Sequence, residues 1–429
     1  MEEKIIEIAN EKLYYSKLDN GLEVYMIPNN NVKNVYATFT TKYGSIHDEF
    51  VPINSNKMIS VPKGIAHFLE HKMFEQEDGI NPFEFFSKSG TNANAHTALK
   101  NTTYEFMGPN NFIENINYLL DYVQELYITD DSVEKEKGII EQELKMYMDD
   151  PFWSMYDGIR NNIFSQNPTK YPIGGTVESI YKITKEDLEK CYNTFYNPAN
   201  MFVVITGNFD PNITLNEIKE NQEKKNFKPM EKVKIKEYKE NDKVVKDYME
   251  IEKNIDINKF SYGIKINLSK LGNISEKKKR LYISIIFDTL FGITSEFYEQ
   301  MTEKNYLSSP LGIDKIYTDT HALITLIGET NFPKELFAEI NALLKNLNIE
   351  ETDLERSKKI LHSINIKMFD NIEDLNDTII SNVINYGTFD ENFIKLSNEL
   401  NMDELKKILK KLDVSNKAIF LVKPFENNL

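Results

Sequence analysis

Two histidines and a glutamate stand close together in the segment His67-Phe68-Leu69-Glu70-His71. On a helix, residues i and i+4 lie one turn apart on one face, and residue i+3 lies beside them. Two imidazole nitrogens placed in this way can bind one divalent ion such as zinc, with Glu70 next to a water on that ion. The pattern therefore predicts metal-assisted hydrolysis. The alternative is a half-buried helix whose polar residues form ordinary hydrogen bonds.

A third metal ligand must come from another part of the chain. A catalytic zinc normally has three protein ligands and keeps a fourth position for water, and H-x-x-E-H, the order of the inverzincins, supplies two. The nearest carboxylate-rich segment downstream is a long amphipathic helix predicted from about residue 132 to 148. Spacing alone leaves Glu136, Glu141 and Glu143 open as the donor.

The elements around the motif predict an α+β fold. The motif helix is expected to begin near residues 62–64, and Ile65, Phe68 and Leu69 would anchor it in a core. The first two strands predict an antiparallel pair packed by helices. The strands predicted in this half of the chain are 22–27, 35–40, 93–97, 103–107 and 201–206.

The length of 429 residues predicts two or three domains, and the similar order of elements in the two halves favours two. We expect an N-terminal zinc-binding peptidase domain over residues 1–220, a charged linker over 221–246 and a second, homologous domain over 247–429. Strand-like and helix-like segments in the second half follow the order of the first half, but the second half contains no H-x-x-E-H. Each domain is expected to be an antiparallel sheet packed with helices.

Composition limits the choice of partners and of compartment. The formal net charge of −16 and the pI near 5.1 argue against nucleic acid and against an anionic membrane surface, since each would need a concentrated basic face. A single cysteine, Cys191, excludes an intramolecular disulfide and fits a reducing compartment. The first residues lack a signal-peptide pattern, and no run reaches 18 apolar residues. We expect a soluble, cytoplasmic protein.

Several sequence segments together resemble one family, that of pitrilysin and the mitochondrial processing peptidases. The resemblance extends over nearly the whole chain, and the bacterial YmfH-type branch is the most similar part of the family. The segments that carry it are Asn20-Gly21-Leu22, the motif with its preceding Gly64-Ile65-Ala66, Asn94-Ala95-His96-Thr97, the stretch from Glu136 to Glu143, Gly175-Thr176 and Tyr196-Asn197-Pro198-Ala199-Asn200-Met201.

The resemblance implies roles for the carboxylates. In the family, the third zinc ligand is the second glutamate of a pair seven residues apart, which here is Glu136 and Glu143 (143 − 136 = 7). Glu143 would then complete the ligand set of His67 and His71 for one zinc per chain. Glu136 would stand behind the ligands as an outer carboxylate, and Glu70 would act as the general base.

The resemblance also implies a substrate-binding strand. Asn94 and Ala95 would lie on an edge strand to which an extended peptide adds by main-chain hydrogen bonds. Without the resemblance, Asn94 would equally suit a turn. We expect His96 to be a polar residue with its hydrogen bonds satisfied, not a ligand. The remaining histidines, which have no partner at ligand spacing, are interpreted as structural: His47, His321 and His362.

The chain departs from the family at one motif. Active members use an arginine and a tyrosine from a C-terminal domain to hold the substrate carbonyl and the developing oxyanion. Thr302 stands here in place of the arginine and Ser309 in place of the tyrosine. Four homologous domains form a hollow clamshell in this family, and a chain of this length supplies two of them, or half of it. We therefore expect a heterodimer with a related subunit that lacks the zinc motif but supplies the Arg/Tyr pair.

The resulting hypothesis is a zinc-dependent endopeptidase that cleaves short, unfolded peptides in an enclosed chamber, with peptide maturation or leader-peptide processing as its setting. The alternative is a catalytically idle binding or assembly subunit whose metal site is structural. A purely structural site would have no need of Glu70 beside the metal, so the complete motif favours the enzyme.

Overall fold

The computed structural model describes residues 1–7, 9–225, 227, 230–389 and 393–425, and it describes side chains in the last segment from residue 395 onward. The chain forms two compact units that are interleaved in sequence. Unit 1 contains Met1–Leu144, Pro172–Glu237 and Ile364–Ile394, and unit 2 contains Lys145–Tyr171, Tyr238–Ser363 and Lys395–Leu429. The contiguous boundaries after residues 220 and 246 stay a prediction.

The strands are β1 (Glu2–Ile6), β2 (Glu11–Lys17), β3 (Glu23–Pro28), β4 (Val35–Thr41), β5 (Glu49–Phe50), β6 (Ile59–Ser60), β7 (Asn92–Thr97), β8 (Thr102–Gly108), β9 (Met201–Gly207), β10 (Tyr248–Lys253), β11 (Asn258–Asn267), β12 (Gly312–Tyr317), β13 (His321–Thr330) and β14 (Lys417–Pro424). The helices are α1 (Ile65–Lys72), α2 (Pro82–Lys88), α3 (Phe112–Val123), α4 (Asp130–Asp149), α5 (Pro151–Ile163), α6 (Val177–Ile180), α7 (Lys185–Phe195), α8 (Pro211–Glu223), α9 (Glu276–Phe291), α10 (Glu296–Glu303), α11 (Pro333–Lys345), α12 (Glu351–Lys367), α13 (Ile372–Tyr386), α14 (Phe393–Asn398) and α15 (Met402–Lys411).

Unit 1 is organised around a seven-stranded sheet with the order β1-β2-β3-β9-β4-β8-β7. The predicted pairing of strands 22–27 and 35–40 is wrong, because β9 lies between β3 and β4 and pairs with both. Every residue of β9 is buried, and a strand with two apolar faces is stable only in the interior of a sheet covered on both sides. A strand distant in sequence therefore takes the central position.

Both faces of this sheet are packed, and alternate residues of each strand enter different cores. Val203 and Ile205 of β9 join the core on the side of α1, α3 and α7. Phe202 and Val204 join a second core with residues of α13. Asn376 of α13 is fully buried there, donates to the carbonyl of Val204 (3.2 Å) and accepts from the Thr38 hydroxyl (2.9 Å). A helix from the C-terminal part of the sequence thus completes unit 1.

Unit 2 contains a five-stranded sheet with the order β10-β14-β11-β13-β12. One face of β11 packs into a core with α9, α11 and α15 through Phe260, Tyr262 and Ile264. α5, which lies in the N-terminal half of the sequence, contacts β11 and β14. Each unit therefore includes a helix from the opposite half of the chain.

The predicted α+β class is confirmed, with helices packed on open sheets. The seven-stranded and five-stranded sheets are antiparallel except for one parallel pair in each, β3 with β9 and β10 with β14. Both parallel pairs join strands that are far apart in the sequence, as a parallel connection requires. No helix in the described part of the chain is both long and apolar enough to cross a membrane.

Part of the charged segment predicted as a linker is anchored in the interior of unit 2. The side chains of Glu240 and Lys265 are both 0% exposed and lie 2.7 Å apart. The Glu240 carboxylate also accepts hydrogen bonds from the backbone N–H groups of Ser165, Gln166 and Asn167 at 2.7–2.9 Å. Burial raises the pKa of Glu240, but the hydrogen bonds from Lys265 and these N–H groups lower it, with a net result of about 2.

We expect Glu240→Gln to lower the free energy of unfolding by about 3 kcal/mol or more, because it leaves the buried Lys265 ammonium without its ion-pair partner. The pKa of Glu240 is lowered from 4.5 to about 2. The stabilisation should therefore be complete above pH 4.5 and disappear as the pH falls through about 2. Urea unfolding would measure both effects.

Glu329→Gln is the matched control, since the Lys259–Glu329 pair in the same unit is about 30% exposed and should contribute less than about 1 kcal/mol. An equal loss of stability in the two variants would contradict the assignment of Glu240 as a buried anchor.

Candidate metal centre

Helix α1 places both histidines of the motif on one face. Its opposite face is held in the core of unit 1 by Ile65, Phe68 and Leu69, which are at most 2% exposed. The rings of His67 and His71 lie 4.7 Å apart between centroids, and their side chains are 13% and 25% exposed. The predicted helix is therefore present, and it turns two imidazoles away from the core.

The N-terminus of α1 is fixed by a contact that only glycine permits. Gly64 precedes the helix with φ +86°, and a Cβ there would lie 2.2 Å from the carbonyl oxygen of Gly174. Gly174 in turn lies so close to the site that its own Cβ would be 2.8 Å from Leu144 and 3.5 Å from Nδ1 of His67. The loop before α6 therefore packs directly behind the first histidine.

Helix α4 brings a carboxylate to the two imidazoles. Nε2 of His67 lies 3.6 Å from Oε1 of Glu143, and Nε2 of His71 lies 3.4 Å from Oε2 of Glu143. One ligand atom from each of the three residues lies within 4.8 Å of the others. An ion with tetrahedral ligands at about 2.1 Å separates each pair of donors by about 3.4 Å. The donor set and its spacing fit a zinc ion.

Glu136 lies on α4 two turns before Glu143, and its carboxylate contacts the other side of His71. Its Oε1 is 3.0 Å from Nδ1 of His71. A proton on Nδ1 donated to this carboxylate leaves the lone pair of Nε2 for a metal. Burial lowers the pKa of His71, but hydrogen bonds to Glu136 and Glu143 and the charges of Glu143 and Glu70 raise it, to about 9. Metal binding must displace the proton from Nε2.

The structure shows where each of the three candidate glutamates lies relative to the histidines. Glu143 lies with the histidines and Glu136 lies behind His71. Glu141 accepts a hydrogen bond of 2.5 Å from the Tyr181 hydroxyl and is not in the three-residue group.

Glu70, the predicted general base, is 8% exposed on the same helix as the histidines. Its Oε2 accepts a hydrogen bond of 2.5 Å from the hydroxyl of Thr97, the last residue of β7. Thr97 is not among the site residues predicted from the sequence. The strand period could have indicated it. Side chains two residues apart share one face of a strand, so Thr97 lies on the same face as Ala93 and Ala95.

Asn94 and Ala95 lie on β7, the strand at one edge of the seven-stranded sheet. Asn94 is exposed, and Ala95 is partly buried against the core. β7 pairs with β8 on one side and, among the described residues, with no strand on the other, which makes it an edge strand. The same helix that holds the histidines packs against this strand.

The other histidines lie away from the three-residue group. His96 is exposed, with Nδ1 3.6 Å from a Glu105 oxygen. Nδ1 of His47 accepts a hydrogen bond from the backbone N–H of Gly44, and burial lowers its pKa to about 4. His321 is buried, with Nε2 3.0 Å from an Asp242 oxygen. In the part of the chain that the structure describes, His67, His71 and Glu143 form the one group of three side chains placed to hold a metal.

Fold and site together define an α+β chain with an H-x-x-E-H helix completed by a distant glutamate. A model of the insulinase family, peptidase family M16, matches residues 55–177, and a model of the peptidase M16 inactive domain matches residues 182–361. The first match contains the motif helix and Glu143. The chain therefore belongs to peptidase family M16, and its predicted membership is confirmed.

Individual relatives agree with this assignment. The uncharacterized zinc protease YmfH of Bacillus subtilis (strain 168) is 41% identical over 359 residues, which cover 82% of this chain and 83% of that protein. An M16-like peptidase from Alicyclobacillus acidocaldarius has a similar structure, with a TM-score of 0.88, 27% identity and coverage of 96% of this chain and 98% of that chain. A protease from Helicobacter pylori shares the fold at a TM-score of 0.79 and 18% identity, over 96% of this chain and 100% of that chain.

We expect Glu136→Gln to weaken zinc binding by about 10-fold, because the amide cannot supply the negative charge that orients His71, and outer carboxylates of this kind typically affect affinity by about 10- to 100-fold. Competition with a chelator would measure the dissociation constant. Glu134→Gln is the control, since Glu134 is on the same helix, 68% exposed and paired with Lys137. If both variants bind zinc as tightly as the wild type, Glu136 does not support the site.

Proposed function

We propose that this chain is a zinc-dependent endopeptidase, with His67, His71 and Glu143 as the metal ligands for one zinc per chain. The observation that carries the proposal is that Glu143 lies 3.4–3.6 Å from Nε2 of both histidines, with one ligand atom of each residue within 4.8 Å of the others and Glu70 on the same helix as the histidines. The names of its relatives as zinc proteases support the choice of metal and of reaction class.

In the proposed mechanism, the zinc ion and the Glu70 carboxylate have different roles. A bound zinc would lower the pKa of a water to about 7 and polarise the peptide carbonyl. Glu70 takes the proton of the attacking water and passes it to the leaving amine when the C–N bond breaks. Glu136 keeps His71 oriented throughout, since its contact with Nδ1 lies on the side away from Glu143.

The substrate we propose is a short, unfolded peptide. An extended peptide could pair with the open side of β7 through the backbone of Asn94 and Ala95. Folded proteins rarely offer an unpaired strand, and the closed chamber expected from the family resemblance would exclude them by size. Peptide maturation or leader-peptide processing, in the cytoplasm, is the setting that we propose.

We also propose that the active enzyme is a heterodimer. Thr302, which stands where the family has an arginine, is exposed on α10 and donates its hydroxyl to the carbonyl of Tyr298 at 2.8 Å. A hydroxyl used in this way offers no charge to a developing oxyanion, and Ser309 offers no phenol. The missing donors would come from a related subunit that has lost the zinc motif and kept the Arg/Tyr pair.

A non-catalytic binding or assembly subunit with a structural metal site is the alternative. It would explain the three ligands, but a structural zinc is normally closed by a fourth protein ligand. Among the described residues, the metal group contains three side chains. A set of three protein ligands is the one that catalytic zinc sites normally use, so it favours the enzyme.

We expect the wild-type chain to bind about one zinc, Glu70→Gln to keep that zinc and lose turnover, and Glu143→Gln to lose affinity for it. Metal analysis and cleavage of a fluorogenic peptide library would test these outcomes. Glu141→Gln is the matched control for Glu143→Gln, since it lies two residues away and contacts Tyr181 instead. Cleavage by Glu70→Gln at the wild-type rate would show that the proposed base is wrong.

We expect the purified chain to cleave peptides feebly by itself, because losing one oxyanion donor typically costs about 10²–10³ in rate. Adding a related subunit with the Arg/Tyr pair should restore cleavage, and replacing that arginine should abolish the gain without releasing zinc from this chain. Full activity in a homodimer of this chain would rule out the need for such a partner.

A further inference from the structure

The hydroxyl of Thr97 donates a hydrogen bond of 2.5 Å to Oε2 of Glu70. We propose that Thr97 is a positioning residue for the general base: its hydroxyl holds Oε2 and thereby leaves Oε1 to receive the proton of the attacking water. The inference rests on the proposed function of Glu70 and adds a residue to it.

The position of Thr97 follows from the pleat of β7. Ala93, Ala95 and Thr97 are partly buried, whereas the residues between them are exposed. The strand therefore turns these three side chains toward the core of unit 1, on the side where α1 and α2 pack against it. Thr97 is the one member of this face with a hydrogen-bond donor, and it stands where Glu70 projects from the helix.

The direction of the hydrogen bond follows from counting hydrogens. Thr102 lies opposite Thr97 in the β7–β8 register, with the two hydroxyl oxygens 3.3 Å apart. The single hydroxyl hydrogen of Thr102 is directed to the carbonyl of Tyr43 at 2.9 Å. Thr97 therefore receives no hydrogen from Thr102. Because a carboxylate can only accept, the 2.5 Å contact with Glu70 takes the hydrogen of Thr97 in a short, charge-assisted bond.

This bond restricts a side chain that would otherwise be loosely held. The terminal torsion of glutamate is broad, so a carboxylate can rotate unless a partner fixes one oxygen. A base must lie within hydrogen-bond reach of the proton that it removes, and small displacements reduce rates strongly. Thr97 would thus act on the chemical step through its hydrogen bond to Glu70.

The decisive comparison is Thr97→Val against Thr97→Ser, in the zinc-loaded chain together with any partner subunit that activity requires. Valine keeps the shape and removes the hydroxyl, whereas serine keeps the hydroxyl. We expect kcat to fall about 10- to 100-fold in Thr97→Val, with KM and zinc affinity unchanged, and Thr97→Ser to restore most of the rate. Thr103→Val is the control, since that buried hydroxyl contacts Thr40 and Asn101 instead.

A second measurement keeps the inference testable if valine perturbs folding. Thr97→Ala and Thr97→Ser are both smaller than threonine and differ only in the hydroxyl, so their rates can be compared directly. Crystal structures of this pair should show Glu70 held in the serine variant and rotated away in the alanine variant.

Two results would overturn the inference: equal kcat in Thr97→Ser and Thr97→Ala, or an unchanged Glu70 side chain in both structures. Failure of the proposed function is a different result. In that case the wild type itself would not cleave peptides, or Glu70→Gln would cleave as well as the wild type, whatever residue occupies position 97.

Discussion

The contact between α1 and α4 is the constraint on which the site depends. It brings Glu143 to 3.4–3.6 Å from the two imidazoles, the separation that a tetrahedral ion imposes on its donors. The core on the other face of α1 and the close approach of Gly174 to Gly64 keep the motif helix in place. The donors are therefore arranged by packing, so metal binding need not reorganise the protein first.

Electrostatics gives this arrangement its preference for a cation. Three carboxylates, those of Glu70, Glu136 and Glu143, surround His71, and they raise its pKa to about 9 despite burial. A divalent ion would take over the role of that proton and offset more of the negative charge. The carboxylates differ in their hydrogen-bond partners. Glu136 contacts the metal-ligand candidate His71, whereas Glu70 contacts Thr97.

The local part of this arrangement could be predicted from the sequence, and the non-local part could not. The spacing of His67 and His71 depends only on helix geometry, so five residues were enough to place them on one face. Glu143 was one of three candidates until the family resemblance selected it. Spacing within a helix does not determine which residues of another helix will pack against it. The central place of β9 and the packing of α13 on its sheet depend on contacts between residues more than 150 positions apart.

X-ray absorption at the zinc edge of the chain loaded with one equivalent of zinc tests the central claim directly. It should show only nitrogen and oxygen ligands, at about 2.0–2.2 Å, with the outer-shell scattering of two imidazoles from His67 and His71. The spectrum of Glu143→Gln should differ, and that of Glu141→Gln should not. A sulfur ligand at about 2.3 Å, or any number of imidazoles other than two, would contradict the site.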